Sequence, residues 1–226
     1  MTAIFLAASF FVGIHLLVAG TRLRDVIVRA TGERAYLGLF SLVSLAGIVW
    51  LSQSWARAEP MAPLWQLPLL RSIAFVGTFV AFEFAVIGLT TPSPTAVGSE
   101  EALDSQEPAR GMLRVTRHPF LWGVAIWGLC HLLVNPDPPS LLFFGALLLL
   151  ALLGPPSIDA KRLRAHGARW ERFAAVTSNV PFVAIFQGRN RLAIREIGAW
   201  RIALGFGLYL GLLAVHAWLF GASPMP

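Results

Sequence analysis

The stretch Leu69-Leu-Arg-Ser-Ile-Ala-Phe-Val-Gly-Thr-Phe-Val-Ala-Phe-Glu-Phe-Ala-Val-Ile-Gly-Leu-Thr90 decides the fold. It is long enough to cross a hydrocarbon core, which takes about 20 predominantly apolar residues, and after Arg71 its one charged side chain is Glu83. Working outward, the runs at roughly 3–19, 35–55 and 199–220 read the same way. Two more need a condition. Residues 112–134 form a span if Arg114, Arg117 and His118 stay at its aqueous end, and 140–156 is short but almost purely Leu, Phe and Ala. The reading is an all-α membrane protein, a polytopic bundle of about six transmembrane helices in one domain over residues 1–226.

Composition agrees. Of 226 residues 56% are apolar and 13% charged, whereas a soluble domain carries about 25% charged residues. One cysteine cannot build a disulfide scaffold, and the hydrophobicity excludes a disordered chain. The net charge of +6 does not point to nucleic acid, because the arginines sit in the short connections between apolar runs. If the spans alternate, 16 of the 18 Lys and Arg fall on one side and Arg57 and Arg71 on the other. The positive-inside rule then puts the rich side in the cytoplasm and both termini outside. The first run has no basic residue before it, so it reads as a retained span and not as a cleaved signal peptide.

The connections are informative too. Residues 91–111 have the Pro, Gly and acid content of an ordered loop or short interfacial helix. From Asp159 to Thr177, Leu163, Trp170, Phe173 and Val176 interleave with Lys161, Arg162, Arg164, Arg169 and Arg172. That pattern predicts a cytoplasmic amphipathic helix lying on anionic membrane lipid.

Chemistry has to come from the few polar side chains within lipid, where an ionisable group is costly. They are His15, Glu83, His118, His131 and His216. Several imidazoles with almost no intramembrane cation to pair with point to a metal or haem between helices; the alternative is that each hydrogen-bonds a neighbouring helix. At about 1.5 Å per residue, depth pairs His15 with His118 near the cytoplasm and His131 with His216 near the outer face. Glu83 is expected to be protonated or hydrogen-bonded to His15, Arg114 or Arg117. In Arg114-Val-Thr-Arg-His-Pro-Phe-Leu-Trp-Gly123, Pro119 suits a first helical turn. Arg114, Arg117 and His118 at that mouth would suit an anionic group such as a carboxylate or a haem propionate.

Four motifs in order, Gly32-Glu-Arg-Ala35, Pro94-Thr-Ala-Val-Gly98, Thr116-Arg-His-Pro-Phe-Leu-Trp-Gly123 and Val180-Pro-Phe-Val-Ala-Ile-Phe186, resemble the NnrU family. These are bacterial integral membrane proteins associated with nitrite and nitric oxide reduction and related to zeta-carotene isomerase. The resemblance implies a bacterial inner membrane and haem b, with its ligands falling on His15 and His131; depth instead offers His216 as the partner of His131. The related isomerase has a cysteine three residues before the second histidine, where this chain has Gly128, and Cys130 adjoins His131.

Three functions compete. The first is a haem-binding NnrU-type protein serving denitrification or its regulation. The second is a redox-gated cis–trans isomerase of a hydrophobic polyene. The third is a methyltransferase-like enzyme holding an S-adenosyl cofactor at the Arg-His-Pro mouth.

Overall fold

The computed structural model describes residues 1–96 and 98–226, so Val97 of the Pro94–Gly98 motif lies outside the described residues. In chain order the helices are α1 (Thr2–Gly13), prolonged by a π-helical turn (Ile14–Ala19), then α2 (Arg22–Thr31), α3 (Glu33–Ala56) and α4 (Pro68–Thr90). They continue as α5 (Met112–Val115), α6 (Pro119–Val134), α7 (Pro138–His166), α8 (Ala168–Val176), α9 (Val183–Phe186) and α10 (Ala199–Phe220). Among the described residues there is no strand. Among the described residues, five helices are long and apolar enough to cross a membrane: α1 with its π turn, α3, α4, α7 and α10.

The expected sixth span is present as a shorter apolar helix. Its polar head does not enter it, because Met112–Val115 forms a separate turn, Thr116 is extended, and Pro119 starts α6. That leaves 16 residues, about 24 Å of helix. The run at 140–156, by contrast, belongs to a helix of 29 residues. Asp137 caps α7 by accepting from the Ser140 N–H at 3.0 Å, and the helix continues through Pro155 and Pro156 to His166.

The amphipathic helix expected over 159–177 is therefore corrected. Its first half is the end of α7, and Gly167, at φ 48°, separates it from α8. Trp170 and Phe173 do not rest on lipid. They are 3% and 1% exposed and pack on Leu103, Ala109 and Leu113, so the 91–111 connection supplies the apolar surface that α8 covers.

Cross-links at the two ends fix the helix directions. At the arginine-rich end Ser157 Oγ donates to Gly20 O and Arg201 Nε to Thr90 O. At the opposite end Trp55 Nε1 donates to Ser140 Oγ, and Trp65 Nε1 to Leu133 O. So α1 and α7 run the same way, α6 runs against both α4 and α7, and α10 lies antiparallel along α4. A core of Ile4, Ala7, Phe11, Leu51, Phe143 and Phe144 joins α1, α3 and α7.

Between α4 and α6 the backbones nearly touch. A Cβ on Gly123 would sit 2.6 Å from the Ala85 nitrogen, and one on Gly88 would sit 2.5 Å from the Phe120 nitrogen. Small residues permit this approach, and in lipid such packing is a main source of helix association. Gly123→Val is expected to force α6 off α4 at a cost of about 3 kcal/mol. Thermal unfolding in detergent should show a lowered Tm, and an unchanged Tm would contradict the close seam.

Candidate functional site

The Arg114–Gly123 segment is densely bonded to distant parts of the chain. Thr116 is fully buried and its hydroxyl donates to Asn179 O, while the Arg117 N–H donates to Ser178 O at 3.0 Å. Phe182 N–H donates to Val115 O at 2.8 Å, and Trp122 Nε1 to Asn179 O at 2.8 Å. Thr95 in the first loop motif donates to Arg117 O, and buried Arg162 donates to Ala96 O at 2.7 Å. Three of the four quoted motifs thus meet around the start of α6.

His118, 2% exposed, donates through Nε2 to Asp159 Oδ1 at 2.7 Å. Arg117 donates to Asp159 Oδ2 through Nε, also at 2.8 Å through Nη2. One carboxylate on α7 therefore takes two of the three groups that the sequence offers to a bound anion.

Arg114 is committed as well. Its Nε and Nη2 grip the two oxygens of Glu196 at 2.7 and 2.9 Å, and Nη1 donates to Asn190 Oδ1 at 2.8 Å. The Gly111 N–H adds a bond to Glu196 at 3.0 Å. Arg114 and that N–H hold the Glu196 carboxyl at about 2, well below its ordinary 4.5. The hydrogen bond with Glu196 raises the Arg114 guanidinium above its ordinary range. Asp159, Glu196 and Asn190 could not be assigned these roles from the chain alone: Asp159 read as the start of a surface helix, and the other two lie in a polar loop far away in sequence.

The remaining histidines lie apart from this cluster. His15, in the π turn, has Nδ1 on Phe11 O at 2.7 Å and Nε2 on Ser44 Oγ at 3.2 Å, with Phe11 and Phe40 against its ring. The structure does not bring it to His118, whose partner is Asp159. His131 has Nδ1 on Trp127 O at 2.8 Å, and its ring stacks on Phe144 at 4.8 Å. His216 has Nδ1 on Ala222 O at 2.9 Å. Cys130 points elsewhere: its sulfur lies against Gly77 of α4, while the His131 ring faces α7.

Haem needs imidazole nitrogens with no other partner. Among the described residues, His131 and His216 each hold Nδ1 on a carbonyl and leave Nε2 without a partner, the arrangement in which an outer bond orients a ligating ring. His15 has both nitrogens engaged. Among the described residues no three His, Cys, Asp or Glu side chains gather as a metal cluster.

Glu83 departs from expectation. It does not bond His15, Arg114 or Arg117; both carboxyl oxygens are buried without a hydrogen-bond partner, facing Gly205 of α10.

A family model described as NnrU protein matches residues 3–224. Among curated relatives, "15-cis-zeta-carotene isomerase, chloroplastic" of Arabidopsis thaliana is 30% identical over 180 residues. The protein of the same name in Zea mays is 28% identical over 174 residues. Each alignment covers 75% of this chain and 47% of the relative, so the chain spans about half the length of the curated relatives it matches. No solved structure matches the chain.

Two outcomes test the ion-pair network. Asp159→Asn strands Arg117 without its counter-charge and is expected to cost about 3 kcal/mol, read as a lower Tm in detergent. Glu196 is ionised at lower pH in the folded state than in the unfolded one, so its contribution is complete above pH 4.5 and is lost as pH falls toward about 2. Glu196→Gln should be less stable at neutral pH by about 2 kcal/mol and should lose less stability than the parent on acidification. Parallel melting curves against pH would contradict this.

Proposed function

The chain belongs to the NnrU family, and on that premise we propose that it is a membrane-embedded isomerase that converts a cis double bond of a long apolar polyene to trans. The observation that carries this reading is the similarity of three-quarters of the chain to two proteins named as 15-cis-zeta-carotene isomerases. The reading as a haem protein of denitrification has no comparable relative behind it.

The physical setting suits such a substrate. A polyene dissolves in the same hydrocarbon as the spans, and helices such as α10 present broad apolar faces, including Phe206, Leu208 and Trp218, from which it could be met sideways. In this proposal the protein lies in a bacterial inner membrane, with its arginine-rich end in the cytoplasm and both termini outside. His131 and His216 would hold haem b through Nε2, with Trp127 O and Ala222 O orienting the two rings. When bound, haem supplies a redox-active iron. Arg114, Arg117 and His118 are proposed as a structural clamp at the arginine-rich end, about one helix length from His131 along α6.

Expression in a bacterial strain that accumulates the 15-cis polyene is the direct test, with isomers separated by chromatography. The expected result is loss of the 15-cis isomer. Retention of that isomer with haem-loaded protein in the membrane would overturn the isomerase reading. His131→Ala is expected to abolish or shift the Soret band of the purified protein, and an unchanged spectrum would remove His131 as a ligand.

A further inference from the structure

Glu83 is left unexplained by the proposed function. It stands on α4 about seven residues from the arginine-rich end of that helix, roughly 10 Å along its axis, and α10 closes over it. A Cβ on Gly205 would lie 2.8 Å from Glu83 Oε2, so the carboxyl is pressed against a position of α10 that has no side chain to collide with it. Four residues to either side along α10, the same face is pinned to α4. Arg201 Nε donates to Thr90 O at 3.2 Å, and Tyr209 Oη donates to Phe75 O at 3.0 Å. Phe79 meets both Phe206 and Tyr209, which walls the site with aromatic rings.

Among the described residues no ionisable group bonds Glu83. On α10, Arg201 is bonded to Thr90 O and Ile197 O and stacks on Trp200, Tyr209 is bonded to Phe75 O, and His216 to Ala222 O. On α6, His118 is bonded to Asp159, His131 to Trp127 O, and Cys130 lies against Gly77. On α5, Arg114 is held by Glu196. An unpaired carboxylate in such surroundings costs far more than a neutral acid.

We propose that Glu83 and Gly205 form an intramembrane proton-binding site, in which the carboxyl stays a neutral acid while α10 is seated on α4. The ligand of the site is a proton. Ionisation and close seating of α10 exclude one another: a carboxylate needs water or a cation, and neither reaches the Gly205 contact unless the helix lifts.

The test uses the full-length protein in lipid vesicles and a hydrophobic carbodiimide, dicyclohexylcarbodiimide. This reagent takes a protonated acid: the oxygen bonds to the central carbon and the proton goes to a nitrogen. Peptide mapping is expected to find the adduct on Glu83, with labelling that persists to alkaline pH. Infrared spectroscopy should show a protonated-carboxyl C=O band at neutral pH that disappears in Glu83→Gln. Gly205→Ala is expected to lift α10 and make labelling fade at lower pH. If Glu83→Gln does not fold, adduct mapping on the parent protein decides alone. Labelling that is absent, or that fades above about pH 5.5, near the ordinary glutamate range, would overturn the proposal. So would a C=O band that survives Glu83→Gln.

Discussion

Asp159 accepts hydrogen bonds from Arg117 and His118 at the point where α7 leaves the apolar layer and α6 enters it. Much of the arginine-rich end depends on that meeting. It neutralises a guanidinium, fixes the buried imidazole, and anchors the extended residues that precede Pro119. Thr116 and the Arg117 N–H then bind the Ser178–Asn179 backbone, and Arg114 draws in Glu196 and Asn190. Loops far apart in sequence become one polar plate, held by charge-assisted bonds.

The spans were legible because lipid imposes a length and a composition that any reader can count. Leu69–Thr90, the first run and the last run all appear as helices near their expected limits. What failed was the treatment of polar residues as surface. The pattern of 159–177 resembles an interfacial helix when read alone, yet its Trp170 and Phe173 find cover in Leu103 and Ala109, residues of a connection whose position sequence periodicity cannot report. The split of 112–134 had a visible signal in Pro119. The length of α7 did not, since two adjacent prolines ordinarily argue for a break.

The same limit explains the site. Residue type marked Arg114, Arg117, His118 and the intramembrane histidines as unusual, and the structure gives each a specific partner. It could not say that the first three would be consumed by Asp159 and Glu196, because carboxylates distant in sequence carry no label of their destination. Depth counted along ideal helices did not find the partners either: His15 bonds Ser44 and His118 bonds Asp159. Family membership and the similarity to carotenoid isomerases then weigh on function in a way the geometry of the polar plate does not.

The seating of α10 has a bearing on biogenesis. This helix is synthesised after the other spans and leans chiefly on α4. Chains emerge N-terminus first, so α4 can pair with α6 while its other flank still faces acyl chains. Glu83 would travel through the translocon and wait in the bilayer before Gly205 arrives to roof it. A glutamate held as an acid can wait there at modest cost, whereas an ionised one would pull its helix back toward the headgroups before the bundle was complete.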